Sequence, residues 1–275
     1  MSTCSFILST GRVSTQNIAV IATKAYPNAV IEHEGLGFKY FPRKVFRRPK
    51  QFATALGHNV LLQRKLIEIE DTISEGRSYL DVGWPTYAWI PYLVDRFDGK
   101  IRFVHLVRNP FHVAASLTTL GLFTPNIQRV RRWVRFAMVH PKGNQINYPE
   151  LAAAAEEFSP FELNLFHWLE LNTFMIEQHY SDGFVGIFRF EELYKGETPT
   201  LPFLLEKLVG KGDFDLNMKP LDSGHRKLPS KIPEPNPDLV KEVTKIAMLL
   251  GYSENELDAS RNLDLLNKRY SSKRL

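Results

Sequence analysis

From Ser5 to about Leu120, short apolar runs of strand length alternate with stretches whose apolar residues recur every three to four positions. That alternation predicts βαβ units and a parallel sheet. Strands are expected at Ser5–Thr10, Ala29–His33, Ser78–Val82 and Ile101–Val107, with a fifth at Phe184–Arg189. The first helix runs from about Ser14 to Tyr26, where Ile18, Ile21, Ala22 and Ala25 keep one face and Pro27 stops it. Leu62, Leu66, Ile69 and Ile73 mark the second helix. Ile90, Val94 and Phe97 mark the third. Asn109 as N-cap and Pro110 at the first helical position open a fourth, to about Leu120. The region from Arg129 to Tyr180 reads as helical, with Phe161, Leu165, Trp168, Leu169, Asn172 and Ile176 near a 3.6 period and Pro160 near the start. Later come a helix at Leu201–Val209, an irregular Pro-rich stretch Lys219–Pro237, and helices from Asp238 to Leu250 and from Glu254 onward. The expected fold class is α/β, a central parallel sheet of about five strands flanked by helices. One domain over 1–275 is expected, with a helical insertion about 121–182 forming a cap.

Composition sets limits. The 275 residues are 44% hydrophobic and 24% charged, enough for a sizeable core. A single cysteine, Cys4, excludes an intramolecular disulfide, and no Cys-rich metal cluster is present. No apolar run approaches the roughly 18–20 residues that cross a bilayer. The start, MSTCSFILST, has neither a basic lead nor a long apolar stretch, so no signal peptide and a cytoplasmic location are expected. The net charge of +5 suits an anionic ligand. Basic residues cluster only at Arg43–Lys50 and Arg129–Arg135, with no zinc finger or RNA-recognition motif beside them. A small phosphorylated cofactor in a basic cleft accounts for the charge, and no nucleic-acid partner or membrane span is expected.

The first strand runs into Gly11-Arg12-Val13-Ser14-Thr15-Gln16 and then a helix. Such a turn aims free backbone N–H groups and the positive end of a helix dipole at one point. A phosphate there would gain those bonds, a charge-assisted one from Arg12, and a hydroxyl from Ser14 or Thr15. The sequence is not GxxxxGK[ST], and no Ser/Thr follows a Lys to hold magnesium, so no metal is expected. A plain helix cap with an exposed Arg fits the same residues.

Arg108 stands at the carboxyl end of a buried strand, where ligands of open α/β sheets bind. Ser116 lies two helical turns beyond Asn109 on the same face, so Arg108 and Ser116 can grip one phosphate together. A strand-end Arg paired with a carboxylate, and a Ser tolerated in a helix, is the other reading.

Together these segments resemble the PAPS-dependent sulfotransferase family (PAPS is 3′-phosphoadenylyl sulfate), whose P-loop-like fold follows this element order. The family has a Ser/Thr-rich loop after its first strand for the 5′-phosphosulfate, matched by Thr10, Gly11, Arg12, Val13, Ser14, Thr15 and Gln16. It also has a strand ending in Arg-Asp/Asn-Pro with a Ser eight residues later for the 3′-phosphate, matched by Arg108-Asn109-Pro110 and Ser116. Phe188-Arg189-Phe190-Glu191-Glu192-Leu193 resembles a recurring late segment. Two positions depart from the pattern, Ser14 for a common Gly and Gln16 for Thr/Ser. The resemblance implies a late lid over the 3′-phosphate, for which His225, Arg226 and Lys227 are the counterpart; an ordinary solvated basic loop is the alternative.

Sulfuryl transfer to an alcohol or amine needs a base for the acceptor proton and cations around the leaving phosphate. Arg12 would supply charge. Glu34, at the carboxyl end of the second strand, is the preferred base, with His33 the runner-up and a hydrogen bond between them able to tune it. A solvated strand-end Glu is the plain reading. His105 is expected in the core, and His112 near the surface, with an approach to the cofactor the alternative. Asp81-Val82-Gly83-Trp84-Pro85 would face the acceptor or the adenine, with Gly83 and Trp84 as contacts and Trp84 stacking on a ring. Lys39, Arg43, Lys44, Arg47 and Arg48 would attract an acidic glycan or simply face solvent. The acceptor is a small molecule or glycan. Two rivals stand beside this: a nucleotide kinase on the same core, and a non-catalytic module that binds nucleotides or polyanionic glycans.

Overall fold

The computed structural model describes residues 2–37, 57–124, 138–141, 146–195, 199–215 and 227–271. They gather into two compact units, Met1–Leu106 with Met175–Leu221, and Val107–Phe174 with Asp222–Leu275.

Five strands, β1 (Cys4–Leu8), β2 (Val30–Glu32), β3 (Tyr79–Val82), β4 (Ile101–Val107) and β5 (Phe184–Arg189), form one sheet in the order β2-β3-β1-β4-β5. β1 runs parallel to both β3 and β4, and β2 parallel to β3. In chain order the helices are α1 (Thr15–Ala25), α2 (Val60–Ser74), α3 (Ile90–Arg96), α4 (Pro110–Thr119), α5 (Pro149–Ala154), α6 (Pro160–Glu177), α7 (Thr200–Val209), α8 (Pro237–Leu249), α9 (Glu254–Ser260) and α10 (Leu263–Tyr270). The α/β class with a five-stranded parallel sheet flanked by helices is therefore the fold.

In the first unit every residue of β1 is buried, as a central parallel strand covered on both faces requires. Ile18, Ala22 and Ala25 of α1 pack with Ile7, Leu80, Val82, Val104 and Leu106 from the sheet. From α7, Leu201, Leu204, Leu205 and Leu208 join the same cluster, each worth roughly 2 kcal/mol of burial. The polar residues at the start of β1 are satisfied by α7: the hydroxyls of Thr3 and Ser5 each donate to the Leu208 carbonyl at 2.7 Å. On α2 the four expected apolar residues, Leu62, Leu66, Ile69 and Ile73, are all buried. Asn59 starts that helix by accepting from the Leu62 N–H at 3.1 Å.

The second unit is helical among its described residues. Asn109 caps α4 as expected, its side chain accepting from the N–H groups of Phe111 and His112, with Pro110 in the first turn. Asn164 of α6 donates to Thr118 of α4 at 3.1 Å. Two expectations need correction. The helical stretch through residue 180 is interrupted before Pro160, where Ser159 and Glu162 exchange bonds in a capping box and start α6 afresh. The final helix expected from Glu254 is two, because Asn262 accepts from the Leu265 N–H and caps a new one.

Candidate functional site

The turn between β1 and α1 is bent by backbone geometry that side chains ordinarily avoid. Gly11, Arg12 and Ser14 have φ of 79°, 61° and 59°. For the two non-glycine residues this left-handed conformation costs about 1–3 kcal/mol each. Positive-φ backbone is the kind that gathers N–H groups into anion-binding concavities, and the first turn of α1 adds N–H groups that no helical carbonyl accepts. The Gly11 N–H is already given to Ser9 Oγ, at 3.2 Å. Ser14 is the N-cap of α1, yet its hydroxyl makes no capping hydrogen bond. Thr10 is buried, and its Oγ1 has no hydrogen-bond partner among the described residues. Val13 is wholly buried and anchors the turn in the core, whereas Gln16 is exposed. The Trp84 ring lies against Gly11, where an added Cβ would stand 3.4 Å from it. Trp84 itself stacks on Tyr87, 6.4 Å between centroids and 13° between planes.

Beside this turn stand the candidate bases. Thr15 Oγ1 lies 3.0 Å from His33 Nε2. His33 and Glu34 share no hydrogen bond among the described residues, so the tuning contact expected between them is not formed. Burial lowers the His33 pKa while the Asp81 carboxylate works against that, leaving a neutral ring at neutral pH. Burial also raises the Glu34 pKa above the usual glutamate range. Glu34 has φ 57°. Its N–H meets the Val82 carbonyl at 3.4 Å.

Asp81 is not at a turn facing a ligand. It lies inside β3, fully buried, and its carboxylate accepts from the Gly35 and Leu36 N–H groups and the Thr86 hydroxyl, each at 3.0 Å. An acid between Leu80 and Val82 in an apolar strand was the available signal for a satisfied buried carboxylate. Gly83 follows, and lacks a Cβ where one would meet the Glu34 backbone at 2.8 Å. Thr10, Gly11, Arg12, Val13, Ser14, Thr15, His33, Glu34, Gly83 and Trp84 thus belong to one neighbourhood of the first unit.

Arg108, Asn109 and Ser116 belong to the second unit. The Arg108 carbonyl accepts from Trp168 Nε1 at 3.1 Å, which fixes the chain where β4 gives way to α4. Ser116 is buried on α4. His112, one turn into α4, is half-buried rather than at the surface, and its Nδ1 has no partner among the described residues. Burial, then the positive charges of Arg269 and Arg108, push its pKa down to about 4. The C-terminal helix converges on the same corner. The Tyr270 hydroxyl donates to the His112 carbonyl at 3.3 Å, and the Leu228 N–H donates to the Tyr270 carbonyl at 3.0 Å. Lys227 is exposed immediately before Leu228. Arg269 and Tyr270 carry no motif, and only the fold assigns them to this corner. His225, Arg226, the basic segment with Lys39, Arg43, Lys44, Arg47 and Arg48, and the Arg129–Arg135 cluster lie outside the described residues. His105 is fully buried and bonded through Nδ1 to His179 Nε2 at 3.1 Å, a core histidine as expected.

No protein-family model matches the chain, and no curated protein matches it. Among solved structures, the sulfotransferase domain from the curacin biosynthetic pathway is similar over 92% of this chain and 99% of that one, at 15% sequence identity and a TM-score of 0.43. A likeness at that level does not assign the chain to a family. Among the described residues, no helix is long and apolar enough to cross a membrane.

Proposed function

We propose that the chain is a sulfotransferase that carries a sulfuryl group from PAPS to a hydroxyl or amine of an acceptor, a small molecule or a glycan. The observation that carries this reading is the 3.0 Å contact between Thr15 Oγ1 and His33 Nε2. It joins an anion-binding turn to the chain segment that holds Glu34. A phosphosulfate fits the turn chemically. Thr10 offers a buried hydroxyl without a partner, Ser14 a hydroxyl not used in capping, and the start of α1 its N–H groups.

When bound, PAPS supplies an activated sulfuryl group and a nucleotide leaving group. Arg12 and the N–H groups at the start of α1 would hold and neutralise the phosphate that departs. Glu34 accepts the proton of the acceptor hydroxyl, and its raised pKa makes it the stronger base. His33 stays neutral and holds Thr15. Gly83 and Trp84 border the acceptor, and the half-buried indole offers a face to a ring. Arg108 and Ser116, with His225, Arg226 and Lys227, take the 3′-phosphate. This chemistry moves a neutral SO₃ unit and calls for no metal.

The test is a transfer assay with sulfur-labelled PAPS in EDTA against panels of alcohols, phenols, amines and glycans. Label moving to one class without magnesium is expected. Nucleotide binding with no transfer to any class would favour a non-catalytic module. Magnesium-dependent movement of phosphate from ATP would favour a kinase.

A further inference from the structure

The carboxylate of Asp81 bonds to the two residues that follow Glu34. Residue 34 is left-handed, which a glutamate does not adopt without support. The support comes from two sides. On one, the Glu34 N–H reaches the Val82 carbonyl at 3.4 Å and the missing Cβ of Gly83 lets the two backbones close. On the other, the two oxygens of Asp81 take the next two N–H groups, Oδ1 from Gly35 and Oδ2 from Leu36. The Thr86 hydroxyl donates to Oδ2 and fixes the carboxylate's own rotation. Only an ionised carboxylate accepts from all three donors at once. An asparagine amide would turn its NH₂ on one of the two N–H groups and leave that group unpaired.

We propose that Asp81 is a positioning residue that holds Glu34 in its left-handed, half-buried pose beside the anion-binding turn, with Thr86 orienting Asp81. The role given to Glu34 as base rests on the function proposed above; the positioning does not. Around Asp81 stand Glu32, Tyr79, Cys4 and His33, the ionisable groups that act on it or feel it. Glu32 is itself held by Tyr79 and Lys65, at 2.6 and 2.7 Å, so its two carboxylate oxygens have partners away from the Gly35 and Leu36 N–H groups that Asp81 takes.

Carboxyl-labelled glutamate NMR on the full chain reads this directly, with the Glu34 signal assigned by its loss in Glu34→Gln. In the native protein Glu34 is expected to titrate above the ordinary glutamate range. In Asp81→Asn the titration falls back to that range. In Thr86→Val, a milder change that keeps the fold, it moves part of the way. A second readout is release of adenosine 3′,5′-bisphosphate from PAPS in a mixture of simple alcohols and phenols. Asp81→Asn is expected to lower turnover at least tenfold while nucleotide affinity stays within about threefold. An unchanged Glu34 titration in folded Asp81→Asn and in Thr86→Val overturns the proposal. A titration that moves while Glu34→Gln turns over like the native protein upholds the positioning and overturns the base assignment instead.

Discussion

Gly83 and Glu34 meet backbone to backbone: a Cβ on Gly83 would stand 2.8 Å from Glu34 Cα and 2.9 Å from its nitrogen. The carboxyl ends of β2 and β3 are thereby locked together at the position of the candidate base.

Gly83→Ala has no room, because the atoms it meets are backbone rather than the end of a flexible side chain. The expected cost is about 1–3 kcal/mol of stability, with turnover reduced more than tenfold. Thermal melts and steady-state kinetics on the same preparation check both. A variant with native melting temperature and turnover would show that the contact relaxes freely.

Thr10→Val removes a buried hydroxyl that has no partner among the described residues, at nearly constant volume. The free protein is expected to gain stability, by about 1 kcal/mol, while its affinity for sulfate or phosphate falls. Opposite signs in the two measurements mark a group kept for a ligand. A loss of stability would show that the hydroxyl serves the fold.

Burial drives the Asp81 pKa from 3.8 to about 6, against the opposing hydrogen bonds from Leu36, Gly35 and Thr86. The unfolded chain releases this proton near pH 4 and the folded chain near pH 6. Between those values the folded state binds more protons, so the stability due to this group declines as pH rises and levels off above about 6. The displacement corresponds to about 3 kcal/mol. Unfolding of the native protein and of Asp81→Asn is compared at pH 4 and pH 6.5, where most of that displacement is expressed: relative to the variant, the native protein should lose about 2 kcal/mol at the higher pH. Parallel curves would contradict it.

Much of this was legible in the sequence where the cause is local. Strands β4 and β5 lie at their expected bounds, because apolar runs between turn residues fix them, and Asn109-Pro110 opens α4 by chemistry written into two adjacent residues. The start of α6 was equally local: Pro160 stands near the start of the apolar period from Phe161, and the Ser159–Glu162 capping box fixes it there. The site was less legible. Arg12, Ser14 and Glu34 are not glycine, so nothing in their identity announces left-handed backbone. Asp81 was expected to face the acceptor or the adenine, because the partners that bury it, Gly35 and Leu36, are distant in sequence. The Leu228–Tyr270–His112 chain of bonds likewise joins segments that share no motif.

Arg108→Ala is expected to weaken adenosine 3′,5′-bisphosphate binding by about 2–3 kcal/mol, some thirtyfold or more, as removal of a charged partner from a bound anion does. AMP binding should change little. Isothermal titration with both nucleotides separates the cases, and an equal loss for both would remove Arg108 from the 3′-phosphate.

Recognition of an adenosine that carries phosphate at both ends underlies every role proposed for these residues, and one titration tests it. The native protein is titrated in EDTA with adenosine 3′,5′-bisphosphate and, separately, with AMP. The bisphosphate is expected to bind at least tenfold more tightly, without magnesium. Equal affinities, or no binding of either, would contradict the assignment.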